Sequence, residues 1–467
     1  MSAASLPAGP RAPRVAQAVS WALRYPAFTR AGHAKFGSTF TVRPGTMGPV
    51  VLTTDREAIK QLLTGDPLKR HHGNDVIRPL IEEPSLMLLA PAEHLERRKL
   101  LLPPFHGERV RAYADLMREL MERKVGSWRT GDTVAVMPAA LNVTIEVILQ
   151  AVLGVADPGL RERLRQLIDD LLLYPLGPVR RRLAGRRARP IRAPRVMREA
   201  SAFAAALSSP AVMTYFPQMK TQAWWNVSTK PWWRLHRQLH ALLDEHITAT
   251  RNDPRLEERE DILAMLVLAR DEDGNGLSDA ALREDLITLI GAGHETTAAA
   301  IGWGAVLLAH DDVARARVAS AVREGDDAYL SAAVKEILRL RSPIPVGAVR
   351  VLDEPLSVDG HVVPPGTMVL VDAWGLHHDP ALYPDPERFD PERFLGRNPE
   401  PYTWLPFGGG AHRCLGSALA ELEIKTALAT ILRTVDIRPA ERDPAPIARR
   451  GITMVPQGGG RVTVTAV

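Results

Sequence analysis

The single cysteine of the 467-residue chain, Cys414, stands between the turn Gly408-Gly409-Gly410 and a helical pattern over 415–432, where Leu415, Leu419, Leu422, Leu428, Ile431 and Leu432 recur at helical spacings. A thiol at a helix N-terminus meets unpaired backbone N–H groups and the positive end of the dipole, so its thiolate is favoured and its pKa is expected to fall. A lone thiolate so held is a good axial ligand for haem iron. The glycines are expected to let backbone approach something flat and turn main-chain donors toward the sulfur. No Gly-Lys-Ser/Thr follows them, which excludes a phosphate loop. One cysteine also excludes a disulfide framework, Cys-x-x-Cys metal sites and iron–sulfur ligation.

Three further groupings carry chemistry. Ala292-Gly293-His294-Glu295-Thr296-Thr297 sits at the centre of a long helical pattern, Asp279 to about His310, with Ser278 placed to cap it. Gly291 and Gly293 each cost about 1 kcal/mol relative to alanine there, a fault that implies a packing or functional reason. The threonine hydroxyls can compete for backbone carbonyls and open the helix. A metalloprotease reading fails, because no second histidine follows His294-Glu295. His94 and Arg98 lie four residues apart on one face of a helix over 93–102, and Glu336 and Arg339 one turn apart on another.

Together these stretches resemble the cytochrome P-450 family. Phe407, Gly410, His412, Cys414 and Gly416 match its cysteine-loop signature, with His412 where many members have arginine. The resemblance runs from about Tyr25 to the end, with four motifs in the family's order. It implies a mainly α fold, a large multihelical lobe with a smaller β-rich lobe. It further implies one haem b (iron protoporphyrin IX) ligated by Cys414. Cofactor contacts are expected from Phe407, Gly408, His412 and Gly416 in the loop and from Ala292 and Gly293 in the oxygen groove. His94, Arg98, Arg350 and His412 are expected to neutralise the propionates, since buried carboxylates need cationic or hydrogen-bonding partners. By the same resemblance Glu295 and Thr296 deliver protons to dioxygen. Glu336, Arg339 and Arg393, with Arg388 as the alternative third member, form the family's Glu-Arg-Arg triad. Residues 71–91 shape substrate entry. Leu86, Met87, Leu88, Leu89, Ile344, Val346 and Val455 line a pocket for a hydrophobic small molecule of fatty acid, terpenoid, steroid or polyketide type.

The elements that must position these residues are helices with one small sheet. Strands are expected at 39–43, 50–53, 348–352, 356–358 and 368–372, a sheet assembled from distant parts of the chain, and Asp55 is placed to cap a helix through Leu63. Residues 1–20 are expected to form a flexible segment, and 21–467 one catalytic domain. A net charge of +5 does not by itself indicate nucleic acid, so the arginine-rich run 180–198 and Trp224, Trp225, Trp232 and Trp233 are read as helix ends and a long loop. No segment reaches the roughly 18 to 20 apolar residues of a transmembrane anchor, and a cytoplasmic location is expected. No flavin or nicotinamide domain is fused, so electrons are expected from a separate ferredoxin with its NAD(P)H reductase or from a flavodoxin, docking on a basic face around Arg97, Lys99 and Arg413. A haem-containing sensor or ligand carrier without turnover, and a peroxide-driven hydroxylase, are the alternatives.

Overall fold

Ser278 opens the helix around which the other elements pack. Its hydroxyl accepts from the Ala281 N–H at 3.2 Å, and the helix runs over Asp279–His310 in the computed structural model. From Thr297 to Ala309 every residue is buried, as expected of a core helix that is apolar all round. The helices Val136–Val147 and Ser417–Thr434 pack against it. The C-terminal hairpin is tied to it by Trp303, whose indole Nε1 donates to the Met454 carbonyl at 3.2 Å. The structure describes residues 5–45, 47–66, 70–74, 81–82, 84–105, 108–173 and 230–466. The arginine-rich run, Trp224 and Trp225, and 75–80 and 83 within the 71–91 loop lie outside them.

The main sheet joins β1 (Thr39–Val42), β2 (Val50–Thr53) and β3 (Arg70–His72) to two later strands, β5 (Val346–Leu352) and β8 (Met368–Asp372). Its order is β1-β2-β8-β5-β3. The β2/β8 pair is parallel, with Val51 opposite Val369, and the other pairs are antiparallel. Two corrections to the sequence reading follow. Leu356–Val358 pairs instead with His361–Val363 in a separate hairpin. Arg70–His72, whose last two residues were expected to begin the 71–91 loop, forms the edge strand beside Arg350, Val351 and Leu352. Three polar, basic residues give no alternating apolar signal, so only the partner strand specifies this one. Elsewhere β4 (Thr133–Ala135), β9 (Asp436–Pro439) and β12 (Arg461–Thr465) form a three-stranded sheet, and β10 (Ile447–Arg450) pairs with β11 (Thr453–Pro456).

The segment 1–20, expected to be flexible, contains local structure over its described residues. Helix Arg14–Phe36 starts inside it, and Gln17 is buried, donating to the Pro10 and Ala12 carbonyls and accepting from the Arg43 N–H. Ala8 accepts from the Thr41 N–H at 3.1 Å, so this segment lies against the sheet. The helix kinks at Arg24, two residues before Pro26, which has no N–H to donate.

Its far end is fastened electrostatically. His33 Nε2 lies 3.0 Å from Asp372 Oδ2, while Tyr25 donates to Asp372 Oδ1 at 3.1 Å. Burial works against a charged His33 ring, but the Asp372 hydrogen bond and charge outweigh it and raise the pKa. A raised folded-state pKa means stability that is fully present below the unfolded value of about 6.5 and lost as pH rises through the folded value. The pH-dependent part of the gap in thermal midpoint between the native chain and His33→Gln should therefore shrink as pH rises above about 6.5. A gap independent of pH would show that His33 contributes only packing.

Candidate active site

The cysteine loop is built by its glycines against protein. Gly408 has φ +62° and Gly410 φ +63°, a region open chiefly to glycine. A Cβ at Gly408 would fall 2.5 Å from the Gly347 carbonyl oxygen, and one at Gly410 only 2.0 Å from the Leu63 oxygen. These glycines therefore let the loop press onto β5 and onto the helix Arg56–Thr64, which Asp55 caps through the Ala58 N–H at 2.7 Å. The loop is closed by the Cys414 N–H donating to the Phe407 carbonyl at 3.0 Å.

Cys414 itself is exposed. The helix after it begins at Ser417 with Gly416 as its cap residue, so the thiol stands just outside the first turn. The expected fall in its pKa is not found. Surrounding protein pushes the thiol up, and the Gly416 N–H with the Arg98 and Arg413 charges only partly offset this. Protein dipoles alone do not make this thiol a thiolate; a coordinated metal would, because a coordinating thiol loses its proton outright.

The centre of the long helix changes character. Thr296 Oγ1 donates to the Ala292 carbonyl at 2.6 Å, the local competition expected of a mid-helix threonine. Thr144 Oγ1, from the neighbouring helix, donates to the His294 carbonyl at 3.1 Å. Gly293 is a packing glycine: a Cβ there would lie 3.3 Å from Ile148 Cδ1 in the π-helical turn Ile148–Val152. Ala292 and Gly291 are exposed, and a Cβ at Gly291 would meet nothing within 4 Å. Glu295 is half-buried by the whole residue, with its side chain 13% exposed, and its Oε1 lies 3.0 Å from Arg450 Nε in β10. Burial pushes its carboxyl up and Arg450 pulls it back.

Lower on the same helix Thr297 bonds to Glu423 of Ser417–Thr434. Burial pushes the Glu423 carboxyl up to about 8, so it keeps its proton at neutral pH. This bond and the packing of the two helices hold the long helix to the cysteine side.

Basic groups gather beside the sulfur. His94 is buried and stacks on His412 with ring centroids 4.0 Å apart. Arg98 is near enough for its charge to act on the Cys414 thiol. Elsewhere, on β5, Arg350 is buried and donates to the Val349 carbonyl at 2.8 Å. An open sulfur beside Arg98, His94 and His412, cationic or hydrogen-bonding side chains, fits an anionic group with a metal at its centre. Cys414 would ligate the metal, and Arg98, His94, His412 and Arg350 would meet the carboxylates.

Other expected groupings fare differently. Glu336 and Arg339 are both fully buried and paired at 2.6 and 2.8 Å; Arg393 Nε stands 3.4 Å from Glu336, whereas Arg388 contributes its carbonyl, not its side chain. The pocket candidates do not form one cluster. Leu86, Leu88 and Val455 are buried in the core around the long helix, with Met87 packed against it. Val346 packs instead with Trp21, Phe40 and Trp374. Leu89 is buried, and Ile344 is half-buried, its carbonyl accepting from Ser342 Oγ.

The expected docking face also changes. Arg97 turns inward to Asp285 at 2.8 Å, and Lys99 pairs with Glu96 and Glu272, leaving Arg413 exposed. Asp285, which the sequence reading missed, also accepts from the Leu86 N–H, and Glu284 from the Glu82 N–H. Two adjacent acids in a buried stretch of helix were the available signal. Arg450 was missed as well; its partner lies far away in the chain.

The sequence model of the cytochrome P-450 family matches residues 7–464. Cytochrome P-450 135B1 of Mycobacterium bovis is 36% identical over 477 residues, covering 100% of this chain and 92% of that protein. Cytochrome P-450 138 of Mycobacterium tuberculosis is 30% identical over 463 residues, covering 98% and 96%. Among solved structures, the retinoic acid bound cyanobacterial CYP120A1 superposes with a TM-score of 0.77 at 24% identity, over 99% of this chain and 100% of that one. The haem domain of cytochrome P-450DA does so with a TM-score of 0.77 at 21% identity, over 100% and 99%. The match spans nearly the whole chain and agrees with the mainly α architecture, the small separate sheets and the exposed cysteine at the head of its helix. The chain belongs to the cytochrome P-450 family, the haem b monooxygenases.

Proposed function

We propose that this chain inserts one oxygen atom from O2 into a hydrophobic small molecule, with Cys414 as the residue that would hold the iron of its haem. The observation that carries the reading is the exposed sulfur, closed into its loop by the Phe407 carbonyl and standing beside Arg98, His94 and His412. Bound there, haem with a sulfur ligand supplies the redox chemistry by which dioxygen is activated. The chain's own work is to hold the group, admit substrate and meter protons. Arg98, Arg350, His94 and His412 bind its carboxylates, since buried anions require charged or hydrogen-bonding partners.

Glu295 and Thr296 form the proton path. Thr296 Oγ1 can exchange its bond to the Ala292 carbonyl for one into the space beside Ala292, and Glu295 can take a proton from solvent and pass it toward that hydroxyl. Thr296→Ala is expected to uncouple electron consumption from product and to release peroxide, read as NADPH oxidised per product formed. Unchanged coupling would mean that another group delivers the proton.

A ferredoxin with its reductase, or a flavodoxin, supplies the electrons. Arg413 is the exposed cation next to Cys414, so reduction should slow as salt rises. No helix among the described residues is long and apolar enough to cross a membrane, which supports a cytoplasmic setting. The substrate class is tested by spectral titration of the ferric protein against a panel of fatty acids, terpenoids, steroids and polyketides, followed by turnover with a surrogate ferredoxin pair. Spectral shifts without substrate-dependent NADPH oxidation would favour a ligand carrier. Turnover with peroxide alone would favour the peroxide-driven hydroxylase.

A further inference from the structure

The helix Pro91–Leu101, which carries His94 and Arg98, is fixed by few buried side chains of its own. Its N-terminus has no side-chain cap, and of its 11 residues only Pro91, His94 and Leu101 are buried. Its polar face supplies the anchor instead. Arg97 Nη1 lies 2.8 Å from Oδ2 of Asp285 on the long helix, with the two side chains 14% and 1% exposed. A helix with so narrow an apolar stripe takes its position from tertiary contacts of this kind.

Asp285 has a second partner. Its other oxygen, Oδ1, accepts from the buried Leu86 N–H at 2.8 Å, at the start of the short turn Leu86–Leu88 that precedes the helix. Ser85, the cap of that turn, meets Thr288 of the long helix with 2.7 Å between the hydroxyls. One buried carboxylate thus holds both ends of the stretch 86–97, a residue expected to line the pocket and the helix of basic side chains. Burial pushes the Asp285 carboxyl up, while the Arg97 charge, its hydrogen bond and the Leu86 N–H pull it back. Arg97 therefore keeps Asp285 a charged acceptor for Leu86. The Glu82 N–H, in the same segment, is held separately by Oε2 of Glu284 at 3.0 Å, and Glu284 pairs with Arg283 at 3.2 Å.

We propose that Asp285 is a positioning residue for haem binding: through Arg97 it sets the helix that presents Arg98 and His94, and through the Leu86 N–H it joins that helix to the pocket wall, so a displacement at the wall changes how firmly haem is held. The proposal rests on the reading of Arg98 and His94 as carboxylate partners. Arg98 follows Arg97 directly, about a third of a turn around the same helix, so a shift of Arg97 moves the Arg98 guanidinium with it. Linkage makes the effect reciprocal. Whatever firms the Leu86 turn tightens haem, and haem, once held, firms the turn.

Haem transfer from the ferric holoenzyme to apomyoglobin, and amide hydrogen exchange of the same holoenzyme, test this without turnover. Asp285→Asn keeps a carbonyl for Leu86 but leaves Arg97 without its charge partner, and Arg97→Gln removes the charge without touching Leu86. Each should speed haem release by about tenfold or more, the size of a lost charge-assisted hydrogen bond. In Arg97→Gln the Leu86 amide should also exchange faster, while the Glu82 amide keeps its native rate. Asp285→Asn/Arg97→Gln should return release toward the native rate, because a neutral pair can replace a buried ion pair at little cost, and it keeps the proposal open to refutation where a single variant fails to fold. From the wall side, Leu86→Pro removes the donor at a first-turn position that tolerates proline, and should release haem faster than Leu86→Ala, which keeps the N–H. Native release in Arg97→Gln, a Leu86 amide indifferent to Arg97→Gln, a double variant that releases faster than either single one, or equal release in Leu86→Pro and Leu86→Ala would overturn the proposal. Failure of the underlying reading looks different: Arg98→Gln would then release haem at the native rate while the Leu86 amide still responded to Arg97→Gln.

Discussion

Glu336→Ala is expected to give protein without bound haem, less stable than the native chain by roughly 3–5 kcal/mol, the usual cost of removing one partner from a buried ion pair. Arg339 has no exposed surface and would keep only carbonyls, those of His377 and Pro386 on Nη1 and of Arg388 on Nη2. Its charge would lose both carboxylate contacts, and the Asp390 N–H would lose its acceptor at 3.0 Å. The damage should reach the cysteine loop along a defined route. The carbonyl of His377 accepts from Arg339, and the Nε2 of His377 accepts from the Leu405 N–H at 2.9 Å. The Leu405 carbonyl in turn accepts from the Gly408 N–H at 3.1 Å, six residues before Cys414. Burial drives the His377 pKa well down, so the ring is neutral and can act as that acceptor. Glu336→Gln keeps the shape and the Asp390 contact and should fall between. Haem content per chain and urea unfolding measure both effects; full haem occupancy in Glu336→Ala would defeat the triad as a support of the loop.

Local chemistry was legible in the residues themselves; most long-range chemistry was not, and Arg393 beside Glu336 was expected only through the family resemblance. Asp55 and Ser278 cap where an acceptor before an amphipathic run says they should. Glu336 and Arg339 pair because one helical turn separates them. Thr296 turns its hydroxyl back onto the helix, which its position mid-helix suggests. Each of these depends on neighbours within four residues. By contrast, Gly408 and Gly410 are required by Gly347 and Leu63, one distant strand and one distant helix. Arg97 looked like surface because it sits in a charged run; the acid that draws it inward, Asp285, lies nearly two hundred residues on. The same limit hid the strand Arg70–His72, whose existence depends on β5, and the meeting of Arg450 with Glu295. Cys414 shows the limit at the level of energetics. Its place before a helix argued for a stabilised thiolate, but desolvation by neighbouring protein raises the pKa more than the Gly416 N–H and two arginines lower it, even though the residue reaches the surface.

That balance makes Cys414→Ala the sharper experiment. Carbon monoxide bound to reduced haem should lose the difference spectrum of a sulfur ligand, and oxygenation should be abolished. Without iron the substitution should be nearly silent, within about 0.5 kcal/mol by urea unfolding, as for an exposed side chain that fills no core space. The main-chain bond from residue 414 to the Phe407 carbonyl does not depend on the side chain, and the loop's shape is set by Gly408 and Gly410. A thiol whose pKa the protein raises contributes nothing as an anion until a metal takes its proton. Its worth should then appear only in the loaded protein, as a larger stability gap between native chain and Cys414→Ala when haem is present than when it is removed. Cys414→His, which offers nitrogen instead, should retain more haem than alanine while lacking the sulfur spectrum. If Cys414→Ala kept the unaltered sulfur-ligand spectrum, or unfolded as readily without haem as Glu336→Ala, the sulfur would be a structural side chain and the site would have to be sought elsewhere.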